Sequence, residues 1–172
     1  DLIGEIWQDR PALSCEPVME LETKWTGKSR ADKIQEIRTK LKEKGADLFV
    51  LTSLDDIAWL LNIRGNDIHC CPVVLSYLVL DEKEIRLFAN ANAFPESVKD
   101  ALATDGVTIY PYNDIYAYVQ TISEEKKIYL SRNNVNSRLV SSIPENVTIL
   151  DGENLTMLPK AIKNETEVQN EK

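Results

Sequence analysis

Histidine is nearly absent from this sequence, which contains only His69 among its 172 residues. A nucleophilic triad needs a histidine base beside Ser or Cys, and a hydrolytic two-metal site usually needs histidine together with several carboxylates in one pocket. The acidic residues of this chain are scattered over predicted capping and surface positions. We therefore predict no catalytic residue and no metal ligand in this chain.

Glycine-rich loops, excess basic charge and long apolar runs are also lacking. The six glycines form neither a G-x-G-x-x-G motif nor a P-loop, which excludes the common phosphate-binding loops. The net charge of −8 argues against nucleic-acid binding, because phosphate contacts need clustered Lys and Arg. No apolar run approaches the roughly 20 residues of a membrane helix, and the amino end does not resemble a signal peptide. We expect a cytoplasmic protein that contacts neither membrane nor nucleic acid.

Cysteine is too scarce for a disulfide framework. Cys15, Cys70 and Cys71 are the three cysteines, and the adjacent pair cannot easily bridge, so a reduced state is expected. A zinc site at His69 is not predicted, because structural zinc takes four ligands at loop spacings such as C-x2-C. One enzyme hypothesis stays open, namely a hydrolase that uses Cys70 or Cys71 with His69.

Short apolar runs alternate with helical patterns along the rest of the chain. Ser29 and Asp32 form a predicted capping box, and Gly45 ends the helix that it begins. The apolar face of this helix is predicted to be Ala31, Ile34, Ile37 and Leu41.

The remaining elements follow from the same patterns. Strands are predicted over 48–51, 73–80, 84–89, 107–110, 127–130 and 147–150, and helices over 53–61, 96–103, 112–122 and 134–142. Residues 81–83 form a hairpin turn, so the sheet is mixed rather than purely parallel. The predicted fold class is a single α/β domain with a mixed β-sheet flanked by helices.

The two ends of the chain differ from this regular middle. Residues 1–28 are irregular, and Ile6, Trp7, Leu21 and Trp25 are predicted to contact the domain surface. Residues 160–172 are polar and are predicted to begin an amphipathic helix.

The candidate functional segment is LTSLDDIAWLLNIRGND, residues 51–67. Ser53 and Asp56 form a second predicted capping box, and the helix leads into a polar loop. The planar fork of Arg64 suits a carboxylate or a peptide end, including that of a neighbouring subunit's substrate. The alternative is that Arg64 caps the carbonyls of the preceding helix or pairs with a surface acid. The candidate contact residues are Arg64, Asn66, Asp67 and His69.

Several segments together resemble one enzyme family. They are EIWQDRPAL, ADKIQEIRTKLKEKGADLFVLTSLDDIAWLLNIRGNDI, PVVLSYLVL and KAIKNETEV. They are similar to the X-Pro aminopeptidases of the three-domain aminopeptidase P type, within the creatinase and prolidase group. The resemblance implies a creatinase N-terminal-like domain at 29–158, preceded by a linker at 1–28 from a first domain. It also implies that 159–172 starts a catalytic domain.

The resemblance places the chemistry outside this chain. It implies two divalent metal ions, manganese or zinc, in the catalytic domain, and removal of an amino-terminal residue that precedes proline in short peptides. By this resemblance the domain at 29–158 would support a homodimer and overhang the active site, so Arg64, Asn66, Asp67 and His69 are expected to contact substrate or subunit. The second alternative is a small-ligand-binding or structural α/β module unrelated to peptidases.

Overall fold

Helices and strands alternate along most of the chain in the computed structural model, which describes residues 2–172. The helices are α1 (Leu2–Ile6), α2 (Thr23–Thr26), α3 (Arg30–Glu43), α4 (Leu54–Leu61), α5 (Glu96–Thr104), α6 (Asp114–Gln120), α7 (Ser137–Ser142), α8 (Met157–Ala161) and α9 (Glu165–Asn170). The strands are β1 (Met19–Glu20), β2 (Leu48–Leu51), β3 (Ile63–Arg64), β4 (Ser76–Leu80), β5 (Ile85–Ala89), β6 (Val107–Pro111), β7 (Lys127–Leu130) and β8 (Thr148–Asp151). A 3-10 turn spans Ala91–Ala93.

Six of the strands form one sheet in the order β6-β5-β4-β2-β7-β8. Strand β4 runs antiparallel to both of its neighbours, whereas the pairs β5–β6, β2–β7 and β7–β8 are parallel. The β4–β5 hairpin is closed by Asp81, whose Oδ1 accepts hydrogen bonds of 2.8 Å from the N–H groups of Lys83 and Glu84. The predicted mixed sheet is thus confirmed.

Helices cover both faces of the sheet. Strand β2 shows why, because all four of its residues are buried and successive side chains point to opposite faces. Phe49 and Leu51 belong to the apolar cluster under α3, α4 and α5, while Leu48 and Val50 belong to the cluster under α6 and α7. The α/β layer arrangement is therefore dictated by short, fully apolar strands.

Helix α3 begins at the predicted Ser29 cap, and Ile34, Ile37 and Leu41 are buried as predicted. The Ser29 hydroxyl accepts the Asp32 N–H at 3.1 Å and donates to the Asp32 carboxylate at 2.6 Å. Ala31 is exposed, contrary to prediction, whereas Arg30 and Lys33 are buried beside the apolar residues of the helix. Two cations therefore lie on the core face of α3.

The segment before β4 is not part of the sheet. The prediction of a strand from Val73 is wrong for its first three residues, because β4 begins at Ser76. The Val73 carbonyl instead accepts the N–H of Asp67, and the Pro72 carbonyl accepts the N–H of Gly65. These bonds hold the loop between β3 and β4 against itself.

The amino-terminal segment is anchored partly by a predicted residue, since Leu21 is half-buried and its N–H donates to the Asn62 carbonyl at 2.8 Å. Val18 is 3% exposed and its N–H donates to the Ala93 carbonyl at 2.8 Å, and strand β1 pairs antiparallel with β3. Ile6 and Trp25 are more than half exposed and Trp7 is 46% exposed, so these three side chains are not buried in the domain.

The carboxyl-terminal segment folds back onto the amino-terminal one. The predicted continuous helix from residue 160 is interrupted, and α9 starts at a capping box formed by Asn164 and Glu167. The Asn164 side chain also donates to the Thr26 carbonyl and the Asn170 side chain to the Trp25 carbonyl, both at 2.9 Å. Within residues 2–172, no helix combines the length and the apolar character needed to cross a membrane.

Candidate functional site

The carboxyl end of α4 carries the first of the predicted site residues. The helix ends at Asn62, which adopts the left-handed conformation with φ of 52°, and the chain continues directly into β3. Arg64 Nη1 donates to the carbonyls of Ala58 at 3.0 Å and Ile63 at 2.8 Å. Burial lowers the pKa of this guanidinium. Arg64 thus caps the preceding helix, as one of the two sequence hypotheses states, while Nε and Nη2 have no hydrogen-bond partner among residues 2–172.

The loop after β3 holds the other three predicted residues. Asp67 organises it, because its Oδ2 accepts the Leu75 N–H at 2.7 Å. Asn66 and His69 are exposed, and no hydrogen bond or ion pair joins the four predicted side chains within the described part of the chain. Their contact with substrate or subunit remains a prediction.

The loop does not bring His69 into hydrogen-bond contact with Cys70 or Cys71, as a cysteine hydrolase would require. Cys71 closes a turn by donating its N–H to the Ile68 carbonyl, and Cys70 has a φ of 61° at the exposed corner. His69 makes no hydrogen bond to either thiol in the part of the chain that the structure describes. Residues 2–172 also contain no group of three or more His, Cys, Asp or Glu side chains that could hold a metal ion. The side chains of this domain do not fit a two-metal centre.

A buried lysine that the sequence did not single out lies at the same end of α4. Lys33 is 1% exposed, and its Nζ donates to the Trp59 carbonyl at 2.9 Å and to Asn62 Oδ1 at 2.7 Å. The ammonium also lies 4.5 Å from the centre of the Trp59 ring, a distance typical of a cation–π contact. The pKa of Lys33 is lowered to about 8, chiefly by burial; the charge of Glu167 raises it, and the charges of Arg64 and Lys28 lower it.

A second buried cation, Arg30, joins three parts of the domain. It is 4% exposed, and its Nε donates to the Leu61 carbonyl at 2.7 Å. Nη1 donates to the Ala101 carbonyl at 2.9 Å and to the Asp105 carboxylate at 2.7 Å, and Nη2 pairs with Glu20. Arg30 therefore ties the amino-terminal segment and α5 to the end of α4.

The carboxyl end of α4 is thus bound by three cations. Arg64, Lys33 and Arg30 donate to the carbonyls of Ala58, Trp59 and Leu61, respectively. The last carbonyls of a helix have no partner within the helix, and the helix dipole concentrates negative charge there. Helix spacing was the signal for Lys33, since it lies four residues before Ile37 on the same face.

The opposite end of α4 corrects another prediction. Ser53 makes no side-chain cap, so the predicted capping box with Asp56 is wrong. Asn154 Nδ2 donates to Ser53 Oγ at 2.8 Å and to Asp56 Oδ2 at 3.1 Å, and Lys160 Nζ reaches Asp56 Oδ1 at 3.1 Å and also pairs with Asp55. Burial of Asp55 raises its pKa, but the hydrogen bond and charge of Lys160 outweigh burial, and the net pKa is lowered. These oxygens anchor the carboxyl-terminal segment rather than the helix.

Comparison with known proteins identifies the relatives of this domain. The sequence profile of the creatinase/prolidase N-terminal domain matches residues 9–167. The chain is 37% identical to Xaa-Pro aminopeptidase 1 of Dictyostelium discoideum and 35% identical to Xaa-Pro aminopeptidase app-1 of Caenorhabditis elegans, in each case over 98% of its length. It spans only 27% and 28% of those proteins.

The solved structures agree with these matches. The crystal structure of the X-prolyl aminopeptidase from Caenorhabditis elegans, described as a cytosolic enzyme with a di-nuclear active site, superposes with a TM-score of 0.88 at 35% identity. The superposition covers 98% of this chain and 28% of that one. The family resemblance inferred from the sequence is confirmed, and the chain belongs to the creatinase/prolidase N-terminal domain family.

Proposed function

We propose that this chain is the non-catalytic domain of a metal-dependent X-Pro aminopeptidase, an enzyme that removes the residue before an amino-terminal proline. The observation that carries the proposal is the superposition of 98% of the chain on 28% of the Caenorhabditis elegans X-prolyl aminopeptidase. A whole domain of that enzyme is represented, and most of the enzyme is not. The fold alone does not argue for peptidase chemistry, so the proposal depends on the sequence identity that accompanies it.

The metal chemistry is assigned to residues outside this chain. The Caenorhabditis elegans relative is described with a di-nuclear active site, whereas residues 2–172 of this chain offer no group of ligands for one metal ion. Two divalent ions, manganese or zinc, would supply the activated water from the remainder of the enzyme. The cytosolic description of that relative supports a cytoplasmic location.

The proposed role of the domain is to support a homodimer and to shape access to the active site. Arg64 supports this role, because one nitrogen caps α4 and fixes the side chain while Nε and Nη2 have no partner among residues 2–172. A fixed guanidinium with free donors suits a carboxylate of a short proline-containing peptide or of a second subunit. The exposed Asn66 and His69 lie on the same loop, which Asp67 holds in place.

Activity measurements test the division of labour. The isolated chain with added manganese is expected to release no amino acid from an X-Pro peptide, because its side chains do not form a metal centre. Turnover that survives repurification and disappears on chelation would contradict the proposal. If the gene extends downstream, a following domain without metal-ligand motifs would end the aminopeptidase assignment.

Arg64→Ala in a full-length enzyme tests the access role. We expect kcat/KM for an X-Pro peptide to fall about tenfold, equivalent to about 1.4 kcal/mol, or the dimer mass to be lost, because the free donors of Arg64 disappear. Arg132→Ala, which removes an exposed arginine from another loop, is the matched control and should leave both unchanged. If Arg64→Ala changes neither the kinetics nor the dimer mass, the loop has no part in function.

A further inference from the structure

A cavity of about 240 Å³ lies between the core face of α3, the end of α4 and the carboxyl-terminal segment. Lys33 and Trp59 contribute from the domain, and Pro159 and Ile162 contribute an apolar wall from the segment around α8. Lys28 and Lys163 also belong to the lining. Ligand sites in proteins combine apolar walls with a few placed polar groups, and this cavity is smaller than the roughly 300–1,000 Å³ of drug-sized sites.

The buried ammonium of Lys33 has no direct ion pair within the described residues. Buried lysines are almost always paired with a carboxylate, but Lys33 Nζ donates to a carbonyl and an amide oxygen and makes no ion pair within the described residues. The two carboxylates of the lining are already engaged. Glu36 pairs with Lys28 at 2.5 Å, and Glu167 accepts the Asn164 N–H at 2.9 Å in the α9 capping box.

A second cation faces the same cavity without a carboxylate. Lys163 is exposed and forms no ion pair among residues 2–172. Lys33 and Lys163 both line the cavity, and they come from two different segments of the chain. An anion between them would gain charge-assisted hydrogen bonds, which are stronger than neutral ones.

We propose that this cavity binds a small carboxylate, with its charged end between Lys33 and Lys163 and its short aliphatic end against Trp59 and Ile162. The cavity is smaller than drug-sized sites, which favours a small acid over a larger ligand. The lining of this site contains none of the residues Arg64, Asn66, Asp67 and His69. It does not depend on the aminopeptidase assignment.

The ionisation of Lys33 gives the site a pH dependence. The charged groups that act on this ammonium are Glu167 from α9, Arg64 from β3 and Lys28 before α3. Glu36 and Lys163 are the other charged residues of the cavity lining. Because burial lowers the pKa of Lys33 to about 8, its ammonium form predominates below that pH and is lost above it. Carboxylate affinity is therefore greatest below about pH 8 and falls as the pH rises through it.

Tryptophan fluorescence of the full chain tests the proposal directly, because Trp59 lines the cavity. Sodium acetate is titrated at pH 7 at constant ionic strength against sodium chloride, and Trp59→Phe assigns the signal. We expect a saturable change with a dissociation constant on the order of millimolar, as befits so small a ligand. Propionate should bind about fourfold more tightly, because one more methylene is buried.

Variants locate the bound anion. Lys33→Met should weaken acetate binding at least tenfold and Lys163→Met several-fold, because each removes one ammonium. Lys42→Met is the matched control, since it removes an exposed lysine from the same helix, and it should bind acetate as the parent does. Should Lys33→Met fail to fold, Lys163→Met and the loss of affinity between pH 7 and about pH 9.5 decide the matter.

Four results would overturn the proposal. They are a response that sodium chloride reproduces, equal binding by Lys33→Met, an affinity that does not change with pH, and tighter binding of inorganic phosphate than of acetate. Equal affinity for acetate and propionate would overturn the placement of the aliphatic end against Trp59.

Discussion

Two buried cations lie one turn apart on α3 and have opposite surroundings. The Arg30 cluster consists of Arg30, Glu20, Asp105 and the carbonyls of Leu61 and Ala101. The Lys33 cluster consists of Lys33, Trp59 and Asn62. Both cations bind the end of α4, but the first meets two carboxylates and the second meets none within the described residues. The Arg30 cluster therefore stabilises the fold through direct ion pairs, whereas the ammonium of Lys33 has no direct ion pair in the described part of the chain and is the candidate to bind an anion.

The chemistry of the two side chains explains the division. Arginine presents five donors in a rigid plane, and Arg30 uses them to join segments that are far apart in sequence. Lysine is a compact charge whose pKa shifts readily on burial, and the pKa of Lys33 is lowered to about 8. The same helix end therefore binds one cation that has direct ion pairs and one that has none among residues 2–172.

Removing Arg30 should have the largest effect. Arg30→Met leaves two carboxylates and two carbonyls without their donor, and we expect the free energy of unfolding to fall by about 3–5 kcal/mol. Urea denaturation at pH 7 measures it. Arg38→Met is the control on the same helix, because Arg38 donates one hydrogen bond, to the Asp81 carbonyl at 2.9 Å, and should cost about 1 kcal/mol. Equal losses in the two variants would remove the structural role of the Arg30 cluster.

Lys33 should affect the pH dependence of the free energy of unfolding more than its value at pH 7. The unfolded chain binds its proton up to about pH 10.5 and the folded chain only up to about pH 8, so the unfolding free energy rises with pH between those values. The rise is at most about 3 kcal/mol, from about 1.4 kcal/mol for each pH unit of the difference. Urea denaturation from pH 7 to pH 10.5 should show the rise in the parent relative to Lys33→Met.

The same pH series compares the two clusters. Arg30→Met retains Lys33 and should keep the rise, and Lys42→Met, which lacks only an exposed lysine, should keep it too. If the free energies of unfolding of the parent and of Lys33→Met change equally over this pH range, the pKa of Lys33 is not lowered by burial.

Gly27→Ala should lower the free energy of unfolding by the smallest amount. It should disturb the packing of α9 beside the Lys33 cluster and leave the Arg30 cluster intact. Gly27 has a φ of 67°, and a Cβ there would lie 2.3 Å from Asn164 Oδ1, at the margin of the Lys33 cavity. We expect a loss of about 2 kcal/mol, from the left-handed conformation together with displacement of α9. Gly45→Ala is a matched control with the same φ and no atom within 4 Å of the added Cβ, and it should cost about 1 kcal/mol. If urea denaturation gives the same loss of unfolding free energy for Gly27→Ala and Gly45→Ala, α9 moves away from the added Cβ without measurable cost.

The sheet and its helices could be predicted because their signals are local. The apolar run at 48–51 is a buried strand, Ser29 caps α3, and the turn at Asp81 makes the hairpin. Each of these features depends on residues within a few positions of one another. The mixed α/β class follows from them.

The polar contacts could not be predicted because their partners are distant in sequence. The oxygens of Ser53 and Asp56 fit a capping box by spacing, yet their partners Asn154 and Lys160 lie 101 and 104 residues away. Lys33 matched the core face by its spacing from Ile37, but a lysine is expected at the surface unless its partners are known. For Arg64, local spacing correctly suggested a helix cap and left its free donors without an assigned partner.

The contacts of Asn164 with Thr26 and of Asn170 with Trp25 have a topological consequence. The segment around α2, which leads into the sheet, and the segment around α9, which follows it, therefore lie side by side. Proximity of such ends is what permits circular permutation and domain insertion. The domain therefore has the arrangement of ends that insertion into a longer polypeptide requires.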